Sequence, residues 1–560
     1  MPPDAEPQAA DAIVDRHRGL VGRTALVSGL TLLSRILGFV REVLAAALFG
    51  DQSAVWDAFV TAWRVPNLFR RFFGEGAIST SLQTALTEAD AEGGDEAGRR
   101  LFLRTVARMT LVLSAVCLVA MGVATVLPDA WLGADPQPVR ELIVRLMPFV
   151  LLICLAAICG GALQVRGHFT APNLAPALMN LVWIGALLWI GAHYVWGEPV
   201  PAGGEALKPY QLGMARVLAW GALLSGAVQL AVQVPALART GLLFRRADAG
   251  PDAEPRHTAG SVLWASVPLA LGAAVYQINV MIDGFMAEAL LRDGAPTAHY
   301  LANRVQQFPL ALIALAATSA VFPSLKALGH RGRLEELRDL HDRAQLGVAF
   351  LALPASVGLF LLAQPIASVL FEHGSYGPDG VARVAAALRM LALALLPAGA
   401  VGLVSRTYYA LGDMRTPVRV SVVALTVNVA LNVGLVVGLG MDVDGLALAT
   451  AVTSWVQLAW LLPGLTRRHG LPASAVGAAR RVAVVALAAA GSGALALAAH
   501  RGVGVAFGLS GAELSRSALA LGAAAVAGMG GFLALARALR APEWDELRAR
   551  RAARRSGKAS

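Results

Sequence analysis

The chain has 560 residues, a mean hydropathy of +0.60 and 56% apolar residues, against only 15% charged ones. A soluble protein of this length needs far more polar surface, so the composition excludes a water-soluble globular fold and points to a polytopic membrane protein. The net charge of +10 does not indicate nucleic-acid binding, because most arginines sit in short segments between apolar runs.

Residues 1–23 mix acids, bases and prolines without an apolar core or small-residue cleavage site. They are expected to form a cytoplasmic tail rather than a signal peptide. Apolar runs of about 20 residues then recur, each long enough to cross the hydrocarbon core. Run length and Pro/Gly punctuation predict about fourteen spans: 24–49, 55–87, 101–127, 138–163, 173–196, 211–237, 259–290, 298–328, 342–363, 381–411, 415–439, 443–465, 479–500 and 515–538. The second and eighth are long and contain internal Pro or Gly, so bent or broken helices are expected there. Cys117, Cys154 and Cys159 lie within spans, without His or acid neighbours at metal-ligand spacing. They read as small buried hydrophobes.

Basic residues alternate between loops. Loops after even-numbered spans carry Arg99, Arg100, Arg166, Arg245, Arg246, Arg331, Arg333, Arg467 and Arg468, whereas loops after odd-numbered spans are poor in bases. The positive-inside rule then places both termini in the cytoplasm. WRVPNLFRRFFGEGAISTSL, with Arg64, resembles NRVQQFPLALIALAATSAVF, with Arg304, 240 residues later; the same offset relates Arg166 to Arg406. Two landmarks at one offset indicate an internal duplication of six spans. An even number of spans makes the halves parallel. The expected organisation is a tail at 1–23, a first lobe at 24–238 and a linker at 239–258. A second lobe at 259–466, a final helix pair at 479–538 and a basic tail at 539–560 follow.

Charges interrupt several spans. In the first, Arg35 and Glu42 are seven apart and share a helix face, while Arg41 lies about 120° round from Arg35. Gly38 between the arginines permits a bend. In the second, Asp57, Arg64 and Arg71 recur every seven residues, Arg70 adjoins them, and Glu75 is placed to pair with Arg71. In the eighth, Arg304 has Asn303, Gln306 and Gln307 as neighbours. Arginine at a helix centre costs about 2.5–3.5 kcal/mol in lipid, so these groups face a wet cavity, pair with acids, or both. Arginines outnumber acids, and the planar guanidinium fork suits phosphate. An anionic substrate, plausibly a phosphate-bearing lipid, is the reading.

At these residues the chain resembles the MurJ/MviN family, lipid II flippases of the MOP exporter superfamily. The stretches that carry the likeness are SRILGFVRE, WDAFVTAWRVPNLFRRFFGEGAIS, RVQQFP and YYALGDMRTPV. The resemblance implies an all-α polytopic fold, two six-helix lobes in a V around a central cationic cavity plus two C-terminal helices. It implies a transporter of the bacterial inner membrane that moves lipid II, an undecaprenyl-pyrophosphate-linked disaccharide-pentapeptide, by alternating access. Arg35, Arg41, Arg70 and Arg304 match arginines implicated in handling the pyrophosphate; Asp57 and Glu42 match important acids, and Ser34 adds a hydroxyl. Gln307 stands where some relatives have an acid. A sodium site reported in the family maps to Asp283, Asn428, Asn432 and Thr450, with Na+ or the membrane potential as candidate driving force and no required cofactor. The last two helices resemble a groove for the polyprenyl tail, although close helix packing explains their small residues equally well. The expected partners are lipid II, membrane lipid and cell-wall synthesis proteins, with no nucleic acid and a monomer sufficient. Export of another polyprenyl-pyrophosphate glycolipid and a non-transport scaffold of the cell-wall machinery stay as alternatives. An enzyme is disfavoured, because His168, His257, His330, His373 and His469 are scattered and form no nucleophile–base grouping.

Overall fold

In the computed structural model, residues 27, 29–70, 77–133, 135–196, 207–244, 258–318, 321–470, 475–506 and 514–539 are described. Both tails and most of the 239–258 linker lie outside them. Among the described residues the secondary structure is helical throughout. Two compact units emerge, Met1–Phe49 with Ser53–Met281, and Gly50–Gln52 with Ile282–Ser560.

In the first unit α1 covers 29–49, followed by α2 (Ala54–Phe69), α3 (Ala77–Val126), α4 (Pro136–Leu146), α5 (Pro148–Val165), α6 (Thr170–Ile190), α7 (Leu207–Ala231) and α8 (Val234–Arg239). Helix α9 (Ala259–Leu290) contributes residues to both units. The second unit continues with α10 (Ala295–Thr318), α11 (Phe322–His330), α12 (Leu334–Leu361), α13 (Ala363–Phe371), α14 (Pro378–Ala392), α15 (Leu395–Ala410), α16 (Arg415–Val433) and α17 (Val443–His469). Helices α18 (Ala475–Ala506) and α19 (Leu514–Ala538) complete it.

The duplication read from two sequence landmarks is visible in the irregularities of the helices. Helices α6 and α16 both finish in a widened turn, Gly191–Val195 and Gly434–Gly438. The α4/α5 pair breaks at Met147, before Pro148, and its counterpart α14/α15 bends by 44°. A widened turn and a broken or bent helix pair thus recur in both units, which fits the duplication read from the two landmarks.

Helix α2 tolerates Pro66 and ends at Phe69; the next helix begins at Ala77. Arg71 and Glu75 lie outside the described residues. Helix α10 likewise contains Pro309 and ends at Thr318, with α11 starting at Phe322. Helix α3 turns sharply at Gly94, whose φ of 69° needs a residue without Cβ. Among the described residues, nine helices are long and apolar enough to cross a membrane, or ten if the bent α14/α15 pair is one span. The count expected from run length is higher because it includes α1, with Arg35, Arg41 and Glu42, the 16-residue α2, α9, and α10, with Arg304 among polar neighbours.

In the first unit an aromatic chain ties α2 to α6. Phe49 stacks on Trp56 (4.5 Å between centroids), Trp56 on Phe59 (5.2 Å), and Trp183 meets Phe59 and Trp63 at 6.0 and 4.9 Å. In the second, Leu403, Val404 and Tyr408 form a core closed by the Tyr408 hydroxyl donating to Leu461 O (3.0 Å). Helices α18 and α19 pack on α12 through Phe350 and Phe532 (4.9 Å). A Cβ on Gly493 would meet Val357 Cγ1 at 2.4 Å, so that small residue serves close packing. Large apolar side chains such as Leu111, Trp264 and Val526 are exposed, as a lipid-facing surface requires. The three cysteines are free and buried.

Candidate substrate-binding site

Helix α1 runs unbroken through Gly38, so the two arginines on it keep the angular separation of a straight helix and have different fates. Arg41 is buried, 5% exposed, and its Nη2 lies 2.5 Å from Oε1 of the equally buried Glu42. Its Nη1 donates to Asn180 Oδ1 (3.1 Å), and its Cζ sits 4.7 Å from the centre of the Trp183 ring. Asn180 is oriented in turn, because its Nδ2 donates to Ser34 O (2.9 Å) and Ser34 Oγ (3.4 Å). Trp183 is fixed by Nε1 donating to Ser225 Oγ (3.0 Å). Ser34 and Arg41 are seven apart, so one face of α1 presents both to α6. Arg35 is exposed, and among the described residues it has no hydrogen bond or ion pair.

Helix α2 buries Asp57 and Arg64, seven apart, at 2% and 5% exposure. Arg64 Nη1 donates to Val280 O (2.9 Å). Arg70 is half-buried; Nε and Nη2 both donate to Asn67 Oδ1, at 3.1 and 2.9 Å. It lines a cleft of about 430 Å³ that none of Ser34, Arg35, Arg41 or Glu42 lines. The structure therefore brings Ser34, Arg41 and Glu42 together through Asn180 and Trp183, and places Arg35 and Arg70 elsewhere in the first unit. Asn180 and Trp183 are missed by sequence reasoning. The available signal was Asn180, seven residues after Asn173, in the apolar run of α6.

In the second unit Arg304 is half-buried on α10. Two of its polar neighbours are structural. Gln306 Nε2 donates to Leu391 O (2.7 Å), a carbonyl in the last turn of α14 that also accepts from Ala394 N (3.0 Å), and Asn303 Nδ2 donates to His299 O (3.0 Å). Four more predicted residues converge. Asn432 Nδ2 donates to Asp283 Oδ1 (2.7 Å) and Asn428 Oδ1 (3.1 Å), and Thr450 Oγ1 donates to Asp283 Oδ2 (3.3 Å). Asp283, Asn428 and Asn432 are all at most 2% exposed, and Asn432 Oδ1 and Asn428 Nδ2 lack hydrogen-bond partners.

The charged helix ends are internally neutralised. Arg166 pairs with Asp90 (2.8 Å) and Asp95 beside the α3 bend, and Arg99 and Arg100 pair with Glu96 (2.6 and 3.3 Å). Between α15 and α16, Asp413 accepts from Thr416 N (2.9 Å) and Thr416 Oγ1 (2.6 Å). Burial pushes the Asp413 carboxyl up, but these hydrogen bonds and His469 outweigh it and hold the group below the usual carboxylate range.

A duplicated bundle with two appended helices and buried guanidinium groups is the fold of a MOP-superfamily transporter. An inward-facing multidrug resistance MATE family transporter of that superfamily matches with a TM-score of 0.62 at 14% identity, covering 81% of this chain and 99% of its own. A solved lipid II flippase MurJ in an inward closed conformation matches with a TM-score of 0.68 at 19% identity, covering 92% and 99%. Sequence narrows the class. The family model for the lipid II flippase MurJ matches residues 45–508. The probable lipid II flippase MurJ of Rhizobium tropici is 32% identical over 463 residues, 81% of this chain and 82% of its own. The lipid II flippase MurJ of Burkholderia cenocepacia is 30% identical over 449 residues, 79% and 83%. The chain belongs to the MurJ family, a transporter family, and is a multi-pass protein of the bacterial inner membrane.

Proposed function

We propose that this protein flips lipid II from the cytoplasmic to the outer leaflet by alternating access, with both termini in the cytoplasm. Membership of the MurJ family supports the substrate, and the charge inventory supports the chemistry. Helices α1 and α2 with the adjoining Arg70 carry four arginines against two carboxylates, Glu42 and Asp57. The single observation that carries the reading is Arg35, a guanidinium exposed on α1 with no counter-ion among the described residues. Arg35 and Arg304 are the groups that contact the pyrophosphate. Arg41, already held by Glu42, Asn180 and Trp183, is a positioning residue that fixes α1 against α6 and adds positive field.

An inside-negative potential favours outward movement of the anionic head. Two net charges crossing the full field gain about 4–5 kcal/mol per 100 mV. The Asp283 cluster fits a small hard cation. Its donors are carboxylate, amide and hydroxyl oxygens, and a half-turn of the Asn432 carboxamide would aim its orphaned Oδ1 at Asp283, an arrangement that a bridging cation stabilises. Sodium bound there would supply a second driving gradient.

The test is lipid II transport in cells whose only copy is Arg35→Ala or Arg304→Ala. A charge-assisted bond to phosphate is worth about 1.5–3 kcal/mol, so each variant should lose roughly tenfold or more in transport at normal membrane abundance. Wild-type rates in both variants would remove the pyrophosphate clamp.

A further inference from the structure

Resting on the flippase reading, we propose that the second unit carries a capture site for the head of the cargo. At the foot of the seam between α12 and α18, Arg343, Arg480 and Arg481 hold the diphosphate of a polyprenyl lipid at the cytoplasmic surface.

Most of this seam is apolar. Phe350, Leu353 and Val357 of α12 pack with Val485, Ala488 and Ala489 of α18. Followed toward the start of each helix, both stripes end in arginine. Arg343 is seven residues before Phe350, and Arg481 is four before Val485 and seven before Ala488, so each shares a face with the seam. Arg480 is four before Val484, which packs on the same cluster. The contacts also fix the level. Phe350 lies in the cluster of Val485, and further along both helices a Cβ on Gly493 would clash with Val357 and meet Leu361 Cδ1 at 2.8 Å. The two helices therefore run in the same direction, and Arg343 stands within about one turn of Arg480 and Arg481.

Positions that would continue an apolar seam thus carry three guanidinium groups from two facing helices. All three are exposed, and among the described residues none has a hydrogen bond or ion pair. Two carboxylates stand close by on α12. Asp342 is turned to Arg338 (3.7 Å), and Asp339, one turn before Arg343, makes no ion pair with it. Arginines that anchor a helix at a membrane surface need only reach water, at any point round its circumference. These three gather on the line where the helices meet, and like charges gathered there call for an anion between them.

The surroundings say which anion. Arg480 and Arg481 open the apolar span Ala479–Ala506, which places them where hydrocarbon gives way to water. Leu487, seven residues after Arg480 and 66% exposed, and Leu495 offer an apolar surface above them. The ligand therefore joins an anionic head to an apolar chain. A guanidinium fork takes two phosphate oxygens at once. A phosphodiester head has a single negative charge and is met by one such fork. A diphosphate has more charge and more free oxygens than one fork can hold, and suits three that converge from two sides.

The experiment measures binding of radiolabelled undecaprenyl diphosphate to the purified full-length protein in mixed micelles. The background is Arg35→Ala/Arg304→Ala, which removes the groups assigned above to the pyrophosphate. Binding should persist there, tighter for the diphosphate than for undecaprenyl monophosphate or phosphatidylglycerol. Adding Arg343→Gln, Arg480→Gln and Arg481→Gln should weaken it roughly tenfold or more. Arg331→Gln, Arg415→Gln and Arg467→Gln instead remove the same charge from other exposed positions of the unit and should leave it in place. No binding in the background, an equal loss in the second set, or equal affinity for the three lipids overturns the proposal; the last result marks ordinary contact with an anionic leaflet. Lipid II translocation by wild type is measured in parallel. Translocation without binding at the seam removes the capture site and leaves the flippase reading standing, whereas binding at the seam in a preparation that moves no lipid II removes the flippase reading.

Discussion

Glu42→Gln isolates the buried ion pair on α1. The carboxylate lies 2.5 Å from Arg41 Nη2, with both side chains about 5% exposed. Substitution leaves the guanidinium with Asn180 Oδ1 at 3.1 Å and the Trp183 ring at 4.7 Å. Those contacts survive, but the charge loses the Glu42 carboxylate in a low-dielectric site. At an effective dielectric constant of 20, unit charges about 4 Å apart attract by about 4 kcal/mol, and removing one partner of a buried pair typically costs about 3–5 kcal/mol. The double variant Arg41→Met/Glu42→Leu removes both charges and should recover most of that loss, because apolar replacement of a buried pair is often neutral. Heat unfolding in one detergent can be followed with a thiol-reactive dye, since Cys117, Cys154 and Cys159 are free and buried. The expected order of melting temperatures is wild type close to the double variant, with Glu42→Gln clearly lowest. A Glu42→Gln protein that melts with wild type, or a double variant less stable than the single, would refute the reasoning.

Two further outcomes follow from the second unit. If the Asp283 cluster holds sodium, the protein should melt at a higher temperature in sodium than in choline, by the equivalent of about 2.7 kcal/mol at a hundredfold excess over Kd. Asp283→Asn should remove that difference, and an unchanged sodium effect in this variant would place the ion elsewhere. Asp413 caps the start of α16 through Thr416, so Asp413→Ala should cost about 1 kcal/mol at pH 7. Its folded pKa is depressed, so the contribution is full above the unfolded value of about 3.9 and is lost as pH falls through the folded value. The melting curves of variant and wild type should therefore converge only in strong acid, and a gap independent of pH down to that range would contradict the ionised cap.

What the sequence made legible was whatever repeats or breaks a pattern along the chain. The Arg64/Arg304 and Arg166/Arg406 landmarks anticipated the duplication that the widened turns of α6 and α16 display. Pro66 and Pro309 led to the expectation of bent or broken second and eighth spans, yet α2 and α10 both run through their prolines. The four-residue spacing of Asn428 and Asn432 put both on one face, and the structure brings to them Asp283 and Thr450, which the family resemblance had named with them. Partner identity was not legible. Helical period places Arg41 on a face but does not name Asn180, 139 positions away. Nor did it decide that Arg41 is buried and Arg35 exposed, which depends on α1 staying straight through Gly38.

The central claim is that exposed guanidinium groups on the apolar helices of this chain carry a pyrophosphate-linked lipid across the membrane. Its most direct test is the fraction of lipid II accessible at the outer leaflet in cells depleted of this protein, then re-supplied with wild type or Arg35→Ala, with and without a dissipated membrane potential. The account predicts that wild type restores outer-leaflet lipid II only while the potential is present, and that Arg35→Ala at equal abundance leaves it in the inner leaflet. Full restoration by Arg35→Ala, or outer-leaflet lipid II that persists at normal levels after depletion, would contradict it.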